Sequence, residues 1–321
     1  MRLDSLVSDI GDLFQTEGDL VERPLLLRGD RVEARLGDLL LSSVFRGIRA
    51  ASHPRRVEGL QASLRVFAEG ATPRLALDIF AAAQDTVAVI NLDRLCRALH
   101  LLNFLPKAGD GIRLFLPVNP FHVTGVKQNH GAYFENILAR CGITPELVTI
   151  CVPIGLSSGR PNPSLIQGLS NYRSRGYQIA LQSNDRPGTE DTDLKFSRSF
   201  RPDYLFLQHG ISTDAAPGLA EQRLSRLKLL TSAARRLGIR TVISGIDTAR
   251  QAELCAAAGA DLLIGDYYEY SGPTYPSLSR AETNPIATEI NPQRFRASGW
   301  QRSEIPALDL LGRRWQYSSL A

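Results

Sequence analysis

From Arg113 to Ile264 the chain repeats one pattern: a short apolar run, a turn, then a segment whose apolar residues recur at helical spacing. The runs are "RLFLPVN", "LVTICVPIG", "YQIALQS", "DYLFLQHG", "RTVISGI" and "ADLLIGDYY". Strands apolar along their whole length belong to parallel sheets covered by helices on both faces. The intervening helices carry their own signals. "NPSLIQGLSNYRSRG" opens on an Asn-Pro start and ends at Gly176, as a capped helix should.

Upstream, "SSVFRGIRA" and "VEGLQASLRV" read as two strands joined by the turn-rich "ASHPRR", a connector suited to an antiparallel pair. The candidates then number eight, the last six alternating with helices. A span of about 230 residues fits a (β/α)8 barrel, whose chemistry sits at the C-terminal ends of the strands. A doubly wound open sheet is the alternative, but no G-x-G-x-x-G or G-x-x-x-x-G-K-[ST] follows any strand. The expected fold class is α/β, a TIM-like barrel with one antiparallel strand, a helical lead-in and a C-terminal tail. Residues 1–38 form the lead-in, where Leu3, Leu6, Val7, Ile10 and Leu13 recur at helical spacing. Residues 39–273 form the barrel, with "LALDIFAAAQ" and "VINLDRLCRALHLLNFL" as a helical region after the antiparallel pair. Residues 274–321, rich in Pro, Arg and Ser, form a tail that packs on the barrel or a partner.

Charge narrows the partners. A net +4 from 37 basic and 33 acidic residues, scattered along the chain, does not point to nucleic acid. No apolar run approaches the ~20 residues of a bilayer span, and the N-terminus lacks a signal-peptide core, so the expected location is cytoplasmic. The cysteines Cys96, Cys141, Cys151 and Cys255 form no C-x-x-C pair and read as reduced thiols.

At the strand ends stand Gln61, Asn119, Cys151 with Pro153, Gln182 with Ser183, Gln208 with His209, Ser244 and Ile264. Hydrolysis assisted by magnesium or calcium needs several anionic oxygen ligands, and this set contains no carboxylate. Asp247 and Asp266 are the only acids near the last two ends.

The order and spacing of the segments resemble the EAL domain, the bacterial module that linearises cyclic di-GMP. The resemblance runs from about Ser42 to Pro273. It is strongest in "RLGIRTVISGIDTARQAELCAAAGADLLIGDYYEYSGP", similar to the family's closing block, and it includes "NLDRLCRALHLL" and "FLPVN". The family's E-A-L-L-R falls on "QASLR", so its glutamate ligand corresponds to Gln61 and its phosphate-contacting arginine to Arg65. Its asparagine ligand corresponds to Asn119. The E-I-T-E strand places Cys151 and Ile154 at acidic positions, and D-D-F-G places Gln182 and Ser183 at the paired aspartates. The K-I-D strand places Phe206 at the lysine and Gln208 at the aspartate. The E-G-V-E-T glutamate corresponds to Ser244 and the late glutamine to Ile264.

Carried over in this way, the resemblance implies a degenerate member: not an enzyme, with no catalytic residue, no metal and no cofactor. The expected function is a catalytically inactive regulatory scaffold that binds another protein in bacterial signalling. The alternative is a cyclic di-GMP receptor whose vestigial pocket comprises Gln61, Arg65, Asn119, Gln182, Phe206, Gln208 and Arg46 of the neighbouring strand. A third reading, different barrel chemistry through His209 or Cys151, lacks a partner group for either. Arg65 reads equally as a structural arginine, and Gln182 and Gln208 as buried amides bonded to each other or to backbone. Family members pair through helices beside the barrel, which implies a homodimer.

Overall fold

Closure of a strand ring dominates the architecture. A computed structural model describes residues 2–18, 24–37, 39–68, 79–80, 83, 86–109, 111–126, 131–154, 162–183, 190–208 and 217–268. Helix α1 (Leu3–Gly18) is followed by strands β1 (Leu25–Arg28), β2 (Arg31–Leu36), β3 (Leu39–Ala50) and β4 (Val57–Ala68). Next come α2 (Thr86–Phe104), β5 (Arg113–Pro117), the short α3 (Pro120–Gly125), α4 (Ala132–Arg140), β6 (Val148–Pro153) and α5 (Pro163–Ser174). The series closes with β7 (Gln178–Gln182), α6 (Glu190–Phe200), β8 (Tyr204–Gln208), α7 (Pro217–Arg236), β9 (Arg240–Ser244), α8 (Ala249–Ala257) and β10 (Leu262–Ile264).

Strand order in the sheet is β1-β2-β3-β10-β9-β8-β7-β6-β5-β4, and β4 returns to pair with β3. Strands β4 to β10 run parallel, whereas β3 is antiparallel to both β4 and β10. The chain therefore forms the expected eight-stranded TIM-like barrel with one antiparallel strand. Pairing of β3 with β4 removes both edges of the ring, so the open doubly wound sheet does not occur.

Two apolar volumes result from the two faces of each strand. Leu114, Leu116, Ile150, Val152, Ile179, Leu181 and Ile243 join the large core shared with the surrounding helices. Ile48, Phe115, Cys151, Ala180, Tyr204, Phe206, Val242, Leu262 and Ile264 fill the inside of the ring. Because both faces are covered, the strands read as continuous apolar runs.

The lead-in differs from expectation. Helix α1 buries Leu6, Val7, Ile10 and Phe14, but the helical reading of residues 1–38 stops there, because Leu25–Leu36 forms a β-hairpin. Val32, Ala34 and Leu36 alternate with less buried neighbours, the period of a strand. The chain reverses between Arg28 and Arg31, where Gly29 takes a φ of 63° that glycine adopts without steric cost. Gly37, at φ 58°, precedes the reversal into β3. The turn signals "RGDR" and "LGDL" stand in the sequence, and the helical spacing of residues 3–13 does not continue beyond α1.

Strands β3 and β4 are each 12 residues long, and only Gly59–Gln61 of β4 pairs with β5. The upper part of this hairpin joins β1 and β2 in a small antiparallel sheet against which α1 and α2 pack. Most of "LALDIFAAAQ" and the whole tail 274–321 lie outside the described residues. Among the described residues, no helix is long and apolar enough to cross a membrane. The cysteines are unpaired; Cys96, Cys151 and Cys255 are buried.

Candidate functional site: the barrel mouth

Register arithmetic decides which of the expected site residues share a level. Arg46 on β3 lies opposite Gln61 on β4. Gln182 on β7 is paired with Phe206 on β8, and Gln208 with Ser244 on β9. Arg46 and Gln61 are half-buried and Gln182 is buried, whereas the description of Gln208 stops at its backbone. Ser244 directs its hydroxyl to the Leu207 carbonyl at 3.4 Å.

Phe206 belongs to the interior of the ring rather than its rim. It is 2% exposed, and its ring meets Phe115 edge-on at 5.9 Å while Tyr204 meets the same Phe115 at 5.0 Å. Such edge-to-face contacts are favourable packing, and they spend the ring's faces on protein. Cys151 lies in the same volume with no exposure. Its thiol points to the Thr149 carbonyl at 3.6 Å, and burial pushes its pKa well up. A thiol held protonated in this way is a poor nucleophile. His209 lies outside the described residues.

Arg65 lies four residues beyond Gln61 on the same face of β4. Arg65 sits in the upper hairpin, opposite Ser42 and buried. Asn119 follows β5 and caps α3, its side-chain oxygen accepting from the Phe121 N–H at 2.9 Å. The Asn119 main-chain N–H donates to Asp93 Oδ1 at 2.8 Å.

That last bond opens onto a network that sequence reasoning missed. Asp93 and Arg97 on α2 form a buried ion pair, Nε to Oδ2 at 2.9 Å. Arg97 also reaches His122 Nε2 on α3 at 2.9 Å and donates to the Tyr172 hydroxyl on α5 at 3.2 Å. His122 Nδ1 lies 3.4 Å from Asp93 Oδ2. Arginine only donates, and the same Arg97 Nη2 lies 3.4 Å from His122 Nδ1. Burial itself pushes the Asp93 carboxyl upward, opposed by Arg97. The available signal was the i, i+4 spacing of Asp93 and Arg97 inside an otherwise apolar helix.

A divalent cation fits the described residues poorly. Hard cations need several anionic oxygens, yet Gln61, Gln182, Gln208 and Ser244 are neutral and the Asn119 oxygen is engaged as a helix cap. Among the described residues, no group of three or more His, Cys, Asp or Glu is placed to hold a metal ion. The charged pair at the mouth is Arg46 with Asp266, Nη2 to Oδ1 at 2.7 Å.

Comparison with known proteins supplies the context. The model of the EAL domain matches residues 38–271. Among curated proteins none matches the chain. The YkuI protein of Bacillus subtilis, with an EAL domain and in complex with substrate c-di-GMP and calcium, superposes with a TM-score of 0.58 at 19% identity over 83% of this chain. PaMucR phosphodiesterase in its c-di-GMP complex gives 0.57 at 15% identity, covering 71% of this chain and 95% of the other. BlrP1 of Klebsiella pneumoniae, in a calcium and cyclic di-GMP complex, gives 0.57 at 17% over 71% of this chain. This chain spans 61% of YkuI and 54% of BlrP1. These matches overturn the expectation that the chain is not an enzyme: it carries the EAL domain, and of the structural neighbours one is named a phosphodiesterase and another was solved with c-di-GMP as its substrate. Family membership is carried by the whole barrel rather than by the side chains at single strand ends.

Proposed function

The chain belongs to the EAL domain family, and from that premise we propose that it is a regulator in cyclic di-GMP signalling that reads the dinucleotide at its barrel mouth and acts on a protein partner. One observation carries the reading. At the strand ends, half-buried Arg46 offers a cation beside the amide of Gln61, with the amide of Gln182 across the ring on β7, on a barrel whose neighbours were solved with c-di-GMP. Guanidinium groups suit phosphates, and amides suit the edges of bases. The upper hairpin, which carries Arg65, is a route by which occupancy is communicated to α1 and α2.

A second reading, docking of a protein partner directly on the mouth, is favoured by Phe121 and Tyr267. These aromatics follow β5 and β10 and are 49% and 48% exposed, and aromatic residues are enriched at protein interfaces. The homodimer implied by the resemblance belongs to this proposal as well.

Calorimetric titration of the full chain with cyclic di-GMP, with and without Mg2+ or Ca2+, tests the first reading. Saturable binding supports it; no saturation by about 1 mM ligand, the weak end of specific association, sinks it. A partner captured equally well with and without the dinucleotide favours the second. Sedimentation of the free chain tests the dimer.

A further inference from the structure

The ion pair at the mouth occupies a distinctive place. Leu262 pairs with Ala50 and Leu263 with Arg49, which carries Ile264 toward Ile48, and the turn that follows β10 brings Asp266 to Arg46 at 2.7 Å. Ile48 and Ile264 belong to the apolar filling of the ring. Arg46 and Asp266 therefore stand one layer above it, at the entrance, with their side chains 25% and 41% exposed. The turn Asp266–Tyr268 is held by other means: Tyr267 N–H donates to the Ile246 carbonyl at 2.9 Å, and Tyr268 N–H to Gly265 at 3.1 Å. Arg49 lies over the Tyr268 ring at 5.7 Å. The Asp266 carboxylate can thus leave Arg46 without unfolding the turn.

We propose that Arg46 is the phosphate-binding side chain of this mouth, and that Asp266 is a built-in competitor occupying it until an anionic ligand arrives. The inference rests on the cyclic di-GMP reading and deepens it. A phosphodiester presents two non-bridging oxygens to the guanidinium fork, as a carboxylate presents its pair, so the two anions compete for one group of donors. An ion pair this open to water is weakly held, which makes exchange feasible. Asp266 also places negative charge at the entrance, so its release from Arg46 discriminates against ligands with no anionic group to offer in exchange.

The test is a titration of full-length protein with cyclic di-GMP across a double-mutant cycle: wild type, Asp266→Asn, Arg46→Gln and both together. Asp266→Asn is expected to tighten binding about 3- to 5-fold, the worth of a solvent-exposed pair. Arg46→Gln is expected to weaken it about 10- to 100-fold, the worth of a hydrogen bond to a charged group. In the Arg46→Gln background, Asp266→Asn should have no effect. Arg46→Lys, which keeps the charge and loses the fork, should fall between wild type and Arg46→Gln. Equal tightening by Asp266→Asn in both backgrounds shows a general field effect and overturns the proposal, as does unchanged binding by Arg46→Gln. Binding by all four proteins alike removes the competitor and leaves the dinucleotide reading intact; binding by none removes both. Asp266→Ser substitutes if Asp266→Asn fails to melt cooperatively.

Discussion

The side-chain amide of Asn103 makes both hydrogen bonds to Val32 that a neighbouring strand would make. Val32 N–H donates to Asn103 Oδ1 at 3.0 Å, and Asn103 Nδ2 donates to the Val32 carbonyl at 2.7 Å. Pairing of β2 with β3 covers Ala34 to Leu36, and α2 fills the gap where the two strands diverge. One turn earlier on the same helix, His100 Nδ1 holds the Ser43 hydroxyl of β3 at 2.8 Å. The helix thereby takes the place of a missing ladder and fixes the small sheet above the barrel.

Replacing Asn103 with leucine keeps the size and leaves the Val32 N–H and carbonyl without these partners. At about 1–3 kcal/mol for each buried group left unpaired, Asn103→Leu should lower the unfolding free energy by about 2–5 kcal/mol. Asn103→Asp keeps the acceptor but sets a carboxylate oxygen against the Val32 and Leu99 carbonyls, and should cost at least as much. Urea unfolding of both variants measures this; a leucine variant as stable as wild type would contradict the strand-mimic role.

His100 should make stability depend on pH. Burial pushes its imidazole down to about 3, whereas in the unfolded chain it titrates near ~6.5. With the folded value depressed, the neutral ring's contribution is fully present above ~6.5. It is lost as pH falls toward 3, at up to about 1.4 kcal/mol per pH unit. Comparing urea midpoints between pH 7 and pH 4 for wild type and His100→Gln isolates this one proton. Parallel curves would mean that His100 is protonated in the fold.

The Asp93–Arg97–His122–Tyr172 network should respond as a unit. Arg97→Met leaves Asp93 buried without its cation and is expected to cost about 3–5 kcal/mol. Tyr172→Phe removes one bond to a charged donor and should cost about 1.5–3 kcal/mol. The double variant should be little worse than Arg97→Met alone, because the tyrosine bond is already lost. Strict additivity in chemical denaturation would show that the bonds act independently.

Gly265 should tolerate no side chain. A Cβ there would run into the main-chain N, C and O of Ile246, and a backbone contact cannot move aside as a flexible side chain can. Gly265→Ala is expected to destabilise by more than about 4 kcal/mol, among the severe single substitutions. A thermal melt with an unchanged midpoint would show that the β9 and β10 exits can separate at little cost.

Much of this was legible in the residues. The six apolar runs from "RLFLPVN" to "ADLLIGDYY" became β5 to β10, and "SSVFRGIRA" with "VEGLQASLRV" became the antiparallel pair β3 and β4. Strand signals are local, since burial on both faces writes itself into consecutive side chains. The β1–β2 hairpin was missed although Val32, Ala34 and Leu36 alternate, because its strands are short and its turns carry glycine-aspartate rather than the commoner asparagine-glycine. For the site, the motif alignment placed Gln61, Arg65, Asn119, Gln182, Phe206, Gln208 and Arg46 in one pocket. The fold sets Arg46 opposite Gln61, Phe206 inside the ring and Arg65 four residues along β4 from Gln61.

Taken alone, the sequence determined the fold class, the eight strands of the ring and the single antiparallel one, because strand and turn signals depend only on neighbours a few residues apart. Tertiary structure decided which polar groups meet. Asp93 reaches His122, Arg97 reaches Tyr172 and Arg46 reaches Asp266 only because ring closure and helix packing bring distant segments to bonding distance. Hydrogen bonds and ion pairs act over a few ångströms and need specific geometry. Nothing in the residues around Arg46 announces its partner some 220 positions away; the register of β3 against β10 does.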